Sequence, residues 1–395
     1  MAADGDGADV GAALGDRLKQ HAMEAAGYVQ RVIADRVVAP ATPPRLLRAH
    51  GATVTAVALT ADAASAFSVA KDGSLVRTDV ATGTRFRFGR RKGGGAQSSR
   101  GAAAAAAAPW VSRAARAVPP RALLSVAVPD DASLVAAAGG DGAVWVWDAR
   151  TGGCVRAYRG HTAPVAGLAF QPASRDLYSA SLDATVRIWS LDDGAYVDAL
   201  HGHQGAVLCV DAAPRGGARV VSGGRDRTAR VWKISDDAQL IFRAPAADVD
   251  AVRYVTGADW VSGDGGGGLA LWSQLKKRPA ARVRNAHPPP EGASPVRGWV
   301  QSLAVARGSD LVASGAGDGA VRLWAARGCA GGGAARALDP VGSIPVAGFV
   351  NGLALSPDGR ILVAGVGPEP RLGRWATDKT ARPGLLVARL GLRDE

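Results

Sequence analysis

The stretch "VVSGGRDRTARVWK", residues 220–233, sets a serine, an aspartate and a tryptophan at fixed offsets. Ser222 stands four residues before Asp226, and Asp226 stands six before Trp232. The same offsets return in Ser179, Asp183, Trp189 and in Ser314, Asp318, Trp324, while Asp141 and Trp147 keep the second interval. Successive tryptophans at 147, 189, 232, 272, 324 and 375 lie 42, 43, 40, 52 and 51 residues apart. A period of roughly 40–45 residues marks a repeat of small sheets, and the two longer intervals mark insertions.

Between these markers, runs such as "VAGLAF", "DLYSAS" and "TVRIWS" carry strand patterning. Asp-Gly pairs at 72–73, 141–142 and 318–319 fit tight hairpins, because such turns need positive φ. "GH" occurs at 160–161 and 202–203, with the histidines 28 and 29 residues before Trp189 and Trp232. These features resemble WD repeats, in which His, Ser, Asp and Trp form a hydrogen-bonded tie within each blade. The resemblance assigns His161, Ser179, Asp183 and Trp189 to one tie, and His203, Ser222, Asp226 and Trp232 to the next. An earlier blade has His50, Ser68 and Asp72, with Thr78 in the tryptophan place.

Seven blade endings then follow, at Thr78, Trp147, Trp189, Trp232, Trp272, Trp324 and Trp375. The expected fold is all-β: a seven-bladed WD40 β-propeller over 44–395 with a short N-terminal helical extension over 1–43. Leu14, Leu18, Met23, Ala26, Val29, Val32 and Ile33 recur at helical spacing, and "APATPP" ends that helix. Closure needs one blade built from both chain ends; "PRLLRA" (44–49) sits where its outer strand should start the chain, and "GLLVARL" (384–390) is a competing or additional candidate. Blade five is degenerate, with Gly266 in the aspartate place and a "GDGGGG" run too flexible for a tight turn. Blade seven has Glu369 there and no "GH". Residues 88–120, Gly/Ala-rich and basic, read as a mobile surface insertion, and 276–298 as a second, Pro-rich one.

Lys+Arg number 47 against Asp+Glu 35, a net charge of +12, which suits nucleic acid or an acidic partner. Cys154, Cys209 and Cys329 lack CxxC spacing, so neither a disulfide framework nor a zinc site is expected. No signal pattern or membrane-spanning run is found, and the chain reads as soluble and intracellular. No HExxH, GxSxG, Walker or Rossmann pattern stands in a credible context, so no enzyme, cofactor or small-molecule substrate is expected.

Several stretches exceed what a WD blade requires: "GGRD" before Trp-Lys-Ile and a Gln-Leu strand, "KKRP" after blade five, and "GFVN" ahead of "RLGRW". In this order they resemble the WD-repeat protein family specific to the U3 small nucleolar ribonucleoprotein, over roughly residues 13–390. The resemblance implies binding of U3 small nucleolar RNA with a kink-turn-binding protein and other small-subunit processome proteins. It also implies a role in pre-rRNA processing, location in nucleus and nucleolus, and no chemistry or membrane. Family members carry a longer charged N-terminal region with a nuclear localisation signal; here "GRRK" (89–92) is the basic candidate. Arg225 is the leading RNA- or partner-binding residue, because its turn is already closed by Asp226; Arg227, Lys276, Lys277, Arg278, Arg371 and Arg374 follow. Arg374 alternates with Trp375, which also fits a structural role. The competing reading is a general WD adaptor, a ubiquitin-ligase receptor or chromatin reader that recognises a peptide.

Overall fold

The computed structural model describes residues 30–38, 40, 42–88, 122–215, 217–244, 247–329 and 335–393. Seven four-stranded antiparallel sheets form the seven blades. Blade four shows the pattern: Val207–Ala212, Arg219–Gly224, Thr228–Lys233 and Ala238–Arg243 run from the axis outward. Inner strands are flanked by neighbouring blades on both faces and are mostly buried, wholly so in Val165–Phe170. Outermost strands splay apart, and most of Ala195–Leu200 is exposed. That gradient explains the near-continuous apolar reading of the inner strands. Close approach at the axis also demands small residues. A Cβ on Gly352 in blade seven would lie 2.8 Å from the backbone nitrogen of Val57 in blade one.

Both closure candidates are used, in one blade. Blade seven has the order Arg45–Leu47, Gly384–Arg389, Ile361–Gly367, Phe349–Leu355. Gly384–Arg389 is its third strand, and Arg45–Leu47 pairs with it from the other chain end, Leu46 opposite Leu386. Trp375 therefore does not end an inner strand as expected. It lies in the long turn 368–383 that joins the second and third strands.

The expected helical extension is corrected where the structure describes it. Residues 30–38 form a strap with one 3₁₀ turn, Ala34–Arg36, and the short strand Val37–Val38. Among the described residues there is no α-helix; the part of the expected helix before Gln30 lies outside them. Tertiary contacts override the helical periodicity here. Ile33 and Ala34 are buried beneath blades six and seven. Their backbone N–H groups donate to Asp310 Oδ1 at 2.8 and 3.0 Å. Val37–Val38 then pairs with Gly391–Leu392, so the two chain ends meet a second time.

The second insertion also starts later than its composition suggests. Lys276–Val283 is the outer strand of blade five, and the extra length lies between His287 and the 3₁₀ turn Pro295–Gly298. The first insertion falls almost wholly on 89–121, outside the described residues, as does "GRRK".

Asp310 is buried, and its carboxylate serves two strap N–H groups at once. Asp310→Ala is expected to lower unfolding free energy by about 1–3 kcal/mol, since both donors lose their partner in a dry place. Equilibrium urea unfolding checks it; an unchanged midpoint would show that the strap does not help hold the ring.

Candidate functional site

The ties come first, because they aim the turns. In blade four, the Trp232 indole donates to Ser222 Oγ at 2.8 Å, His203 Nε2 meets the same oxygen at 2.8 Å, and His203 Nδ1 lies 2.8 Å from Asp226. Serine has one hydroxyl hydrogen, which goes to Nε2, so Nδ1–H donates to the carboxylate and the ring is neutral. Burial pushes the His203 and His161 pKa values down, against the pull of Asp226 and Asp183. Blade three repeats the chain through Trp189, Ser179, His161 and Asp183.

Blade six has the same tie, and its histidine escaped the sequence reading. His287 joins Ser314 at 2.7 Å and Asp318 at 3.0 Å. It stands 37 residues before Trp324 because the insertion lies between them, so the 28-residue offset passes over it. In blade two, Trp145 rather than Trp147 bonds Asp141, at 2.9 Å. In blade one, Ser74 inserts between His50 and Asp72. Blade five does form an ordered turn: Asp264 Oδ1 accepts the N–H groups of Gly266 and Gly268 at 3.0 and 2.7 Å. The aspartate has moved two residues, from the expected position 266 to 264.

With the turns fixed, four of the seven candidate cations fall on one face. In each blade the turn between second and third strands faces one way and the turn between third and fourth faces the other, because the strands are antiparallel. Arg225 and Arg227 sit in the first kind of turn in blade four; Arg371 and Arg374 sit in its blade-seven counterpart. Lys276 opens the outer strand of blade five beside Ser273, at the opposite end of the blade. Lys276, Lys277 and Arg278 are exposed there on the rim, apart from the other four.

The turn 368–383 is drawn over the channel mouth. Arg371 reaches into the channel, where its guanidinium donates to Leu208 O at 3.0 Å. Its backbone N–H donates to Gln301 Oε1 at 3.1 Å. Asn351, from "GFVN", donates to Glu369 O and to Val54 O. Lys71 bonds Glu369 at 2.9 Å and Gly373 O at 2.7 Å, and Arg297 pairs with Asp378. Glu369 is thus an anchor for the turn rather than a member of a blade tie. Arg371, half-buried, belongs to this anchoring; burial lowers its pKa. Asp250 faces it, and burial pushes that carboxyl up to about 7, opposed by Arg371 and Arg225.

Arg225 and Arg227 remain exposed, and neither guanidinium has a hydrogen-bond partner among the described residues. Arg227 adopts a left-handed backbone, φ 59°, where Gly73, Gly142 and Gly319 stand in three other blades and Ala184, φ 66°, in blade three. Such a conformation in a non-glycine residue carries strain. Arg374 is exposed and leans toward Glu369 at 3.6 Å. No group of three metal-ligating side chains occurs among the described residues, and none of their helices is long and apolar enough to cross a membrane.

Comparison with known proteins adds the family context. The "WD domain, G-beta repeat" profile matches residues 120–148, 152–190, 194–233 and 293–325. The chain is 37% identical to "U3 snoRNP-associated protein-like EMB2271" of Arabidopsis thaliana, over 95% of this chain and 77% of that protein. It is 35% identical to human "U3 small nucleolar RNA-interacting protein 2", over 94% of this chain and 74% of that protein. The solved structure "Structure of U3-55K" superposes with a TM-score of 0.77 at 33% identity, covering 89% of this chain and all of that one.

Buried neutral histidines make stability pH-dependent. The His50 pKa falls to about 4 through burial, from 6.5. The unfolded chain therefore binds more protons between those values, so stability is present above about 6.5 and is lost as pH falls toward 4. His161 and His203 act in the same direction. His50 alone accounts for a loss of about 3 kcal/mol across that window. Urea midpoints at pH 7.5 and 4.5 measure it, and His50→Gln should flatten the slope.

Proposed function

The chain belongs to the family of WD-repeat proteins of the U3 small nucleolar ribonucleoprotein, and on that premise we propose how its ring serves the particle. It is a scaffold component that interacts with U3 small nucleolar RNA and supports pre-rRNA processing and small ribosomal subunit biogenesis. It works in the nucleus and nucleolus beside a kink-turn-binding protein and other processome proteins. The observation that carries this reading is similarity along almost the whole ring, 35% over 94% of the chain, to a human protein named for its interaction with U3 RNA.

The channel mouth with blade four's turn is the RNA-facing surface. The fold already uses Asp226 and Trp232, and the channel uses Arg371. Arg225 and Arg227 are left over as exposed, unbonded cations on a rigid turn. Guanidinium groups bridge phosphates well, and their placement by a tied turn costs little ordering entropy on binding. A strained Arg227 in a glycine position fits a residue kept for contact, because glycine would hold the turn with less strain. Lys276, Lys277 and Arg278 form a second basic edge that meets RNA or protein at the rim.

Sequencing of RNA crosslinked to the tagged protein in cells tests the assignment. U3 RNA should be enriched; a general adaptor for peptides predicts no such enrichment. Arg225→Glu should reduce U3 recovery about tenfold or more with the fold intact, and binding should weaken steeply with added salt as counterion release requires. Arg227→Gly separates contact from fold. It should leave stability unchanged or raise it by up to about 1 kcal/mol, while weakening RNA association.

A further inference from the structure

We propose that the outward face of Trp375 is a stacking platform for one unpaired nucleobase, with the adjoining phosphate held by Arg225. This deepens the RNA-scaffold reading and rests on it. Trp375 is 56% exposed, whereas Trp145, Trp189, Trp260 and Trp272 are almost fully buried. Its exposure is not that of a loose loop, since the turn around it is fixed at Glu369, Arg371, Gly373 and Asp378 by partners in three other blades. An indole left 56% open to water on a pinned turn buries far less for the fold than the core tryptophans do, so stability alone does not explain it.

The ring is also placed with care. Gly373 has φ 89°, and a Cβ there would sit 2.0 Å from Trp375 Cζ3. The glycine of "RLGRW" thus leaves room for the indole to fold back over its own turn. Trp299 braces it from blade six, with ring centroids 6.5 Å apart and planes at 57°. Arg225, Asp250, Trp299, Gln301, Arg371 and Trp375 surround a cavity of ≈ 30 Å³. A base is far larger, so it lies across the indole instead of entering.

Charge selects nucleotide over peptide. Glu369 is paired with Lys71, and Asp378 with Arg297. Among the described residues at this mouth, Arg225 and Arg227 carry no ion pair, and exposed Arg374 only leans toward Glu369 at 3.6 Å. An aromatic face beside an open guanidinium is the combination that holds single-stranded nucleic acid: stacking takes the base, and the cation takes the phosphate. The geometry suits a base already flipped out of a helix, because the platform stands at the channel mouth of a rigid ring and not in a groove.

The test uses the full chain and a single-stranded RNA octamer carrying one 2-aminopurine. Binding should quench the 2-aminopurine emission through stacking. Trp375→Ala should weaken binding roughly tenfold and remove the quenching, while Trp375→Phe restores most of both. The thermal midpoint of Trp375→Ala should fall by only a few degrees, because the ring is more than half exposed. In the assembled particle, ultraviolet crosslinking should leave a nucleotide on the peptide Trp375–Lys379. Unchanged octamer affinity and quenching in Trp375→Ala would overturn the platform. So would unchanged affinity together with loss of a protein partner from the purified particle, which would make the indole a protein contact. Failure of the U3 assignment reads differently: U3 RNA would be missing from the crosslinked pool while the octamer still reports stacking at Trp375.

Discussion

The pairing of Arg45–Leu47 with Gly384–Arg389 is the constraint on which everything else rests. Without it, blade seven lacks its outer strand and the ring ends in two open sheet edges, each ready to pair elsewhere. With it, seven sheets share one axis, and the inner strands of blades seven and one come close enough that Gly352 admits no side chain. Closure also sets which turns meet. Arg225 and Arg371 are 146 residues apart in the chain, yet both stand at one mouth of the channel. The candidate interface is therefore a product of ring closure, and no single blade contains it.

The strap 30–38 reinforces the same joint from the opposite side. Its strand pairs with Gly391–Leu392, just beyond the closing strand, so the chain ends are bonded twice within one region. The anchor is electrostatic as well as apolar: Asp310 takes two N–H groups, Arg327 reaches Asp35, and Ile33 fills space over Gly359. Helical spacing of apolar residues was a fair signal for residues 14–33 taken alone. For the last few of them, hydrogen bonds to blade six outweigh the local preference, and a short strap cannot hold both a helix and a strand partner.

Much of the ring could be read from the chain because its ties use rare residues at fixed spacing. Ser222, Asp226 and Trp232 announce a blade, and the same triplet located blades three and six. What escaped did so for definable reasons. His287 performs its expected role at an unexpected distance, since an insertion separates it from Trp324. Trp375 sits 51 residues after Trp324, and that spacing, with the alternation of Arg374 and Trp375, made it a strand residue, although it lies in the turn before the third strand. The third strand, Gly384–Arg389, was visible as an apolar run, but two candidates for one place left its rank open until the sheet order settled it. Asp264 could have been found by allowing the turn aspartate to shift toward the strand end, where it still reaches two glycine N–H groups.

Charge by itself did not point to a face, and the structure shows why. The basic residues are spread around the ring, and many are spent on the fold: Lys71 and Arg297 fasten the blade-seven turn, Arg371 fills the channel, and Arg327 holds the strap. Removing these from the count leaves a short roster at the mouth. Position then does what composition cannot. Arg225 is exposed one residue before the aspartate that locks its turn, and Arg227 occupies a backbone conformation that three other blades give to glycine. A cation whose place in the fold a smaller residue could take with less strain is consistent with the proposed contact outside the fold, and an open indole on a pinned turn points to the same surface.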